Sequence, residues 1–239
     1  MAPELYDAHC HLSEHSPGGA QNVVNGTKPS NWGAIIERAQ RNASILPGIG
    51  LHPWEVKQAP ADWRDQFKHA VRSGARVVGE IGLDRWIEND DFDQQEAAFR
   101  WQLNQSVQGN LPVSIHCLKA TDPLLRILKE DGGPERGIHL HAYNGSAEQV
   151  SQFADCGAYF SFNVGQLGES AKKAPAAVRS VPADRLLIET DAPDMLEGDE
   201  TPSAFLEQAY ERIAELRDMA RTELVDQVAA NFTRYFLDD

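Results

Sequence analysis

Apolar residues recur along this chain in two alternating patterns. Short β-branched and aliphatic runs of the kind that form buried strands are separated by stretches with the three-to-four-residue spacing of amphipathic helices. The first run is Leu5 to Leu12. Val23-Val24 is the short apolar core of an otherwise Gly-, Asn- and Ser-rich stretch from Ser13 to Ser30, which reads as a loop holding a weak second strand. Further strands are expected at Ser44 to Gly50, Arg76 to Asp84, Leu111 to His116, Gly137 to His141, Ala158 to Phe162 and Arg185 to Asp191.

Helices are expected between them. One begins at Ser30 or Asn31, either of which can cap it, and carries Ile35, Ile36 and Ala39. A second opens at Pro60-Ala61-Asp62, with Trp63, Phe67, Ala70 and Val71 on one side, and stops at Gly74. The others are Asp93 to Gln108, Pro123 to Lys129 capped by Thr121-Asp122, Ser146 through Ala154, Glu169 to Val178, Ser203 to Leu216 and Arg221 to Phe236.

Eight strands separated by helical patterns imply parallel βαβ units, and eight such units close into a (β/α)8 TIM-type barrel. A doubly wound open sheet is the competing architecture. Polar residues decide between them: Glu80, His116, His141 and Asp191 close apolar strands at their C-terminal ends, where such barrels carry catalytic groups. A length of 239 residues with 41% hydrophobic content suits one barrel domain over residues 1–239.

His9 and His11 stand two positions apart on the first strand, so their side chains share a face and can grip one ion together. Singly, each strand-end residue has a blander reading as a helix cap or a hydrogen-bonded core histidine. Together they are most simply neutralised by metal, since burying unpaired carboxylates costs several kcal/mol. His139 shares the strand and face of His141, and spacing does not choose between them. Six ligands, namely His9, His11, Glu80, His116, His141 and Asp191, exceed the need of one tetrahedral ion and leave enough for two in a shared cage. Glu80 is the natural bridge. A hydroxide bridging the ions would be the nucleophile, with Asp191 placed to take its proton. Mixed imidazole and carboxylate ligation suits zinc, manganese or magnesium. His52 and Arg85 follow strand ends without being needed for the cage, and are the candidate substrate contacts. The blander reading pairs Arg85 with Glu88 at the surface.

The net charge of −14, from 36 acidic and 22 basic residues, excludes a broad basic face that coats nucleic acid but leaves room for a local polyanion site. Cys10, Cys117 and Cys156 have no Cys-x-x-Cys spacing and are expected to be reduced thiols. No apolar run is long enough for a membrane span, and the first residues lack signal-peptide regions. A soluble, cytoplasmic monomer is the expectation.

The motifs Asp7-Ala8-His9-Cys10-His11-Leu12, Gly50-Leu51-His52-Pro53, Gly79-Glu80-Ile81-Gly82-Leu83-Asp84, Pro112-Val113-Ser114-Ile115-His116, His141-Ala142-Tyr143-Asn144-Gly145 and Glu189-Thr190-Asp191-Ala192-Pro193 occur in order along almost the whole chain. In this the sequence resembles the TatD-type metal-dependent hydrolases of the amidohydrolase superfamily. The resemblance implies a TIM-type barrel with two divalent ions and an activity that hydrolyses phosphodiester bonds in DNA, often from the 3′ end. It also implies that His141 rather than His139 is the ligand, and Glu80 stands where other superfamily branches carry a carboxylated lysine. The chain departs from the family's pattern in three places. Leu118 stands two positions after His116 where an arginine is usual, with only Lys119 next door, so a planar phosphate fork is lost. Ala142-Tyr143-Asn144 replaces a Cys-Phe-Ser tendency. Glu197, Asp199 and Glu200 replace a basic stretch. The alternatives are therefore a hydrolase of small esters, lactones or aminoacyl-tRNA bonds, using the same metal chemistry, or a non-catalytic barrel scaffold.

Overall fold

The computed structural model describes residues 4–14, 17–86 and 91–238. Eight parallel strands form one sheet in sequential order: β1 Tyr6–His11, β2 Gln21–Asn25, β3 Ile45–Ile49, β4 Val77–Asp84, β5 Val113–Leu118, β6 Ile138–Leu140, β7 Ala158–Phe162 and β8 Leu186–Ile188. The chain just after β8 closes the ring against β1. Asp191 donates its backbone N–H to the His9 carbonyl at 2.9 Å, and His11 donates to the Ala192 carbonyl at 2.7 Å. Asp7 adds a side-chain clasp, accepting from the Thr190 backbone N–H at 3.0 Å and from the Thr190 hydroxyl at 2.6 Å. The architecture is the (β/α)8 barrel that the alternating pattern implies.

The main helices are α1 Pro29–Arg41, α2 Trp63–Arg72, α3 Phe92–Gly109, α4 Thr121–Asp131, α5 Ala147–Ala154, α6 Lys173–Ser180, α7 Pro202–Leu216 and α8 Arg221–Phe232. Their apolar stripes pack on the outside of the barrel: Trp32 and Phe67 meet edge to face, with ring centroids 5.8 Å apart, between α1 and α2. Helix α1 starts at Pro29, one residue earlier than its serine suggests, because proline carries the helical φ and needs no N–H partner there. Helix α6 starts four residues later than the expected Glu169, and α8 ends at Phe232, followed by a wider π-type turn over Thr233–Leu237.

That last turn closes the barrel's base. Phe232, Tyr235 and Phe236 pack against Val23, Leu46, Tyr159 and Leu187. The Tyr235 hydroxyl accepts from the backbone N–H of Val113, the first residue of β5, at 3.0 Å. With the base plugged, the other end is left as the accessible mouth.

Strand lengths differ from expectation at that mouth. Strands β4 and β5 continue in register past Glu80 and His116, up to the pair Asp84 and Leu118, so both residues lie within strands instead of at their ends. Strands β6 and β8 stop early, which puts His141 and Asp191 on the following turns. Asp191 has φ +55°, a left-handed conformation that aspartate tolerates better than most residues and that turns its side chain back over the barrel.

Candidate metal centre

The six side chains converge. His9 Nε2 and His11 Nε2 are 3.4 Å apart. Each lies 3.5 Å from Glu80 Oε2, and they lie 3.9 and 3.4 Å from Asp191 Oδ1. Donors held at about 2.0–2.2 Å around a tetrahedral ion stand about 3.3–3.6 Å from one another, so His9, His11 and Glu80 are spaced as ligands would be, with Asp191 at that distance from His11 and slightly farther from His9. The other oxygen of the same carboxylate faces a second group: Glu80 Oε1 is 2.8 Å from His141 Nε2, 3.0 Å from His116 Nδ1 and 3.2 Å from His52 Nε2. His116 Nδ1 and His141 Nε2 are themselves 3.4 Å apart. One buried carboxylate is thus shared by two donor groups.

The outer hydrogen bonds decide which ring nitrogen offers a lone pair. His11 Nδ1 lies 3.0 Å from the Asn25 carbonyl, which only accepts, so Nδ1 carries the hydrogen and Nε2 is free for an ion. His116 donates from Nε2 to Asp84 Oδ2 at 2.9 Å and turns Nδ1 inward. His9 Nδ1 contacts the Ser114 hydroxyl at 2.8 Å. His52 is the reverse case. Its Nδ1 accepts the Trp54 backbone N–H at 3.2 Å, so the hydrogen sits on Nε2 and points at Glu80. It is a hydrogen-bond donor at the cage, the opposite of His11 and His116, whose inward nitrogens offer lone pairs.

Electrostatics follow from this crowding. Burial opposes charge on His11, but its hydrogen bond to the Asp191 carboxylate and the charge of Glu80 outweigh it and hold the imidazole up at about 9. His116 and His141 are likewise raised against burial, the first by Asp84 and Glu80 and the second by Glu80 and Glu189. Burial lowers His9 and His52. Although buried, the Glu80 carboxyl is driven well below its usual range by His52, His141 and His116. Protons here hold together what would otherwise be lone pairs facing lone pairs, and a divalent cation does the same with less repulsion between rings. The donor set therefore fits the metal that its composition implies.

A cavity of about 450 Å³ opens above the cage, lined among others by His11, His52, Trp54, Leu118 and Asp194. Arg85 does not line it. Its guanidinium packs over the Phe92 ring at 4.2 Å, and its proposed partner Glu88 lies outside the described residues. His139, the alternative to His141, is fully buried beneath the cage, bonded between the Ser114 and Ser161 hydroxyls at 3.2 and 2.6 Å.

Three acids escaped the sequence reading. Asp84 holds His116, Glu189 lies 3.7 Å from His141 Nδ1, and Asp7 clasps Thr190. Burial pushes the Asp7 carboxyl up to about 7, with the Thr190 hydrogen bonds countering part of that push. Each acid stands an even number of residues from a ligand on the same strand or its extension. The alternation that pairs His9 with His11 would have found all three.

The TatD related DNase family model matches residues 6–237, and the chain belongs to that family. It is 28% identical to an uncharacterized metal-dependent hydrolase, YabD of Bacillus subtilis, over 97% of this chain and 98% of that protein. It is 31% identical over 186 residues to the 3′-5′ ssDNA/RNA exonuclease TatD of Citrobacter koseri, covering 75% of this chain and 70% of the relative. The solved structure of YjjV, a TatD homologue from Escherichia coli K12, superposes with a TM-score of 0.90 over 100% of both chains at 24% identity, an agreement of folds.

Proposed function

We propose that this chain is a two-ion phosphodiesterase that removes nucleotides from an end of DNA, from the 3′ side. The observation that carries the reading is the division of Glu80 between two donor groups, Oε2 toward His9 and His11, which Asp191 also faces, and Oε1 toward His116 and His141. Family membership and the nuclease activity in the name of the Citrobacter koseri relative support a nucleic acid as substrate.

The residues divide the work. Divalent ions bound in the cage, whether zinc, manganese or magnesium, would polarise an ester oxygen and bring the pKa of water toward neutrality. Asp191, kept ionised against burial by His11, is the carboxylate that accepts a proton at Oδ during attack and returns it to the leaving oxygen. His52, neutral because it is buried, donates Nε2–H to Glu80 Oε1 and so orients the shared carboxylate, while its ring edge lines the cavity where the substrate would lie. Asp84 and Asn25 fix the rings of His116 and His11, so that little reorganisation is needed when substrate arrives.

A second reading, hydrolysis of small esters, lactones or aminoacyl-tRNA bonds, draws support from Leu118, an apolar lining residue where the family's phosphate-gripping arginine is expected. Incubating metal-loaded protein with end-labelled single-stranded DNA, beside a generic phosphodiester and a generic carboxylic ester, separates the two. Nucleotide release from one end supports the nuclease. Ester turnover without DNA cleavage favours the second reading.

A further inference from the structure

Two of the large apolar side chains exposed among the described residues are tryptophans: Trp54, which lines the cavity, is 55% exposed, and Trp86, just past the end of β4, is 62% exposed. Both are tied to one carboxylate. Trp54 donates its indole N–H to Asp84 Oδ2 at 2.7 Å, Trp86 donates its backbone N–H to Asp84 Oδ1 at 2.6 Å, and Asp84 Oδ2 also holds His116. The Trp54 ring stands edge to face with His52 at 5.0 Å, and its centroid lies 6.3 Å from that of His116. An indole fixed at its N–H edge, lining the cavity and left half in solvent, keeps ring surface available for stacking. The Trp86 ring is covered by the Lys119 ammonium at 3.7 Å, and Lys119 directly follows Leu118 of the cavity wall.

We infer that Trp54 is a stacking platform for the terminal nucleobase of a single strand whose phosphate lies at the cage, with Lys119, held by Trp86, as the cation beside that strand. The inference rests on the phosphodiesterase reading and narrows its substrate. Aromatic stacking tolerates every base and, with a nearby cation, binds single strands without reading their sequence. It also compensates for the missing arginine at position 118, because affinity for the end comes from the base as well as from phosphate. The terminal base of a duplex must first leave its pairing partner to follow its phosphate to the cage, at a cost in unpairing and unstacking, so the platform favours unpaired ends.

The test compares a 3′ end carrying its base with one carrying an abasic residue, using metal-loaded wild type, Trp54→Ala and Trp54→Phe, with metal content measured for each. Losing a stacking contact lowers the wild-type preference for the base-bearing end, read in kcat/KM, by about ten-fold in Trp54→Ala. Trp54→Phe keeps an aromatic ring without the N–H to Asp84 and retains most of the preference, which separates stacking from any effect of Trp54 on His116. A second readout is quenching of tryptophan fluorescence by thymidine monophosphate, but not by ribose 5-phosphate, in chelator-treated protein. Unchanged base preference in Trp54→Ala, or equal loss in the Phe and Ala variants, overturns the platform. Base-specific quenching in a protein that cleaves no nucleic acid upholds the platform and sinks the nuclease reading instead.

Discussion

Asp84 Oδ2 accepts the Nε2 hydrogen of His116 at 2.9 Å, and this bond is what leaves the Nδ1 lone pair facing Glu80. Removing the acceptor frees the ring to rotate or change tautomer. Asp84→Ala should lower the affinity for divalent metal by about 10- to 100-fold, the usual cost of losing such a support. Competition against a chromophoric chelator measures it. Unchanged affinity would mean that packing alone holds His116.

Ion binding should release protons. Without metal, His11 titrates at about 9, while His116 and His141 are held above their ordinary range by the carboxylates around them. An ion can use those nitrogens only once they are deprotonated. The metal-free protein therefore carries more protons than the loaded one at neutral pH, so apparent affinity rises with pH until these imidazoles are deprotonated. Calorimetry in buffers of different ionisation enthalpy counts the protons. A pH-independent affinity between 6 and about 8 would contradict the assignment of these imidazoles as ligands.

Glycine is required where β4 passes β5. A Cβ added at Gly82 would lie 2.0 Å from the His116 carbonyl oxygen, a backbone atom that cannot step aside. Gly82→Ala should cost about 1–3 kcal/mol or more through displacement of the strands. Because the displaced backbone carries His116, metal affinity should fall with stability. Thermal denaturation with and without metal reports both, and a variant with wild-type Tm would show that the two strands separate more easily than their register suggests.

The barrel was legible in the sequence because parallel strands buried on both faces leave short apolar runs, and because polar residues at the ends of such runs have few other uses. Glu80, His116 and Asp191 could be picked out on that ground, His9 and His11 by their two-residue spacing, and His141 over His139 by the family resemblance, and the structure brings all six together. What sequence could not reveal is set by pairing between strands. Extension of β4 and β5 to Asp84 and Leu118 depends on their mutual register, which is invisible in either strand alone. That extension is what turns Asp84 from a motif residue into the support of His116. Arg85 was expected at the substrate because it follows a strand end. It packs instead on Phe92 of the following helix, while Trp54, on a 3-10 turn that no periodicity marks, occupies the mouth.

If Glu80 holds two ions with one carboxylate, counting bound metal in wild type and Glu80→Ala will show it. Elemental analysis of extensively loaded and desalted protein should find two divalent ions per wild-type chain. In Glu80→Ala it should find fewer than two, with hydrolysis abolished and circular dichroism unchanged, since the apolar layers beneath the cage do not depend on the bridge. A single ion in the wild type, or undiminished metal and activity in Glu80→Ala, would contradict the account.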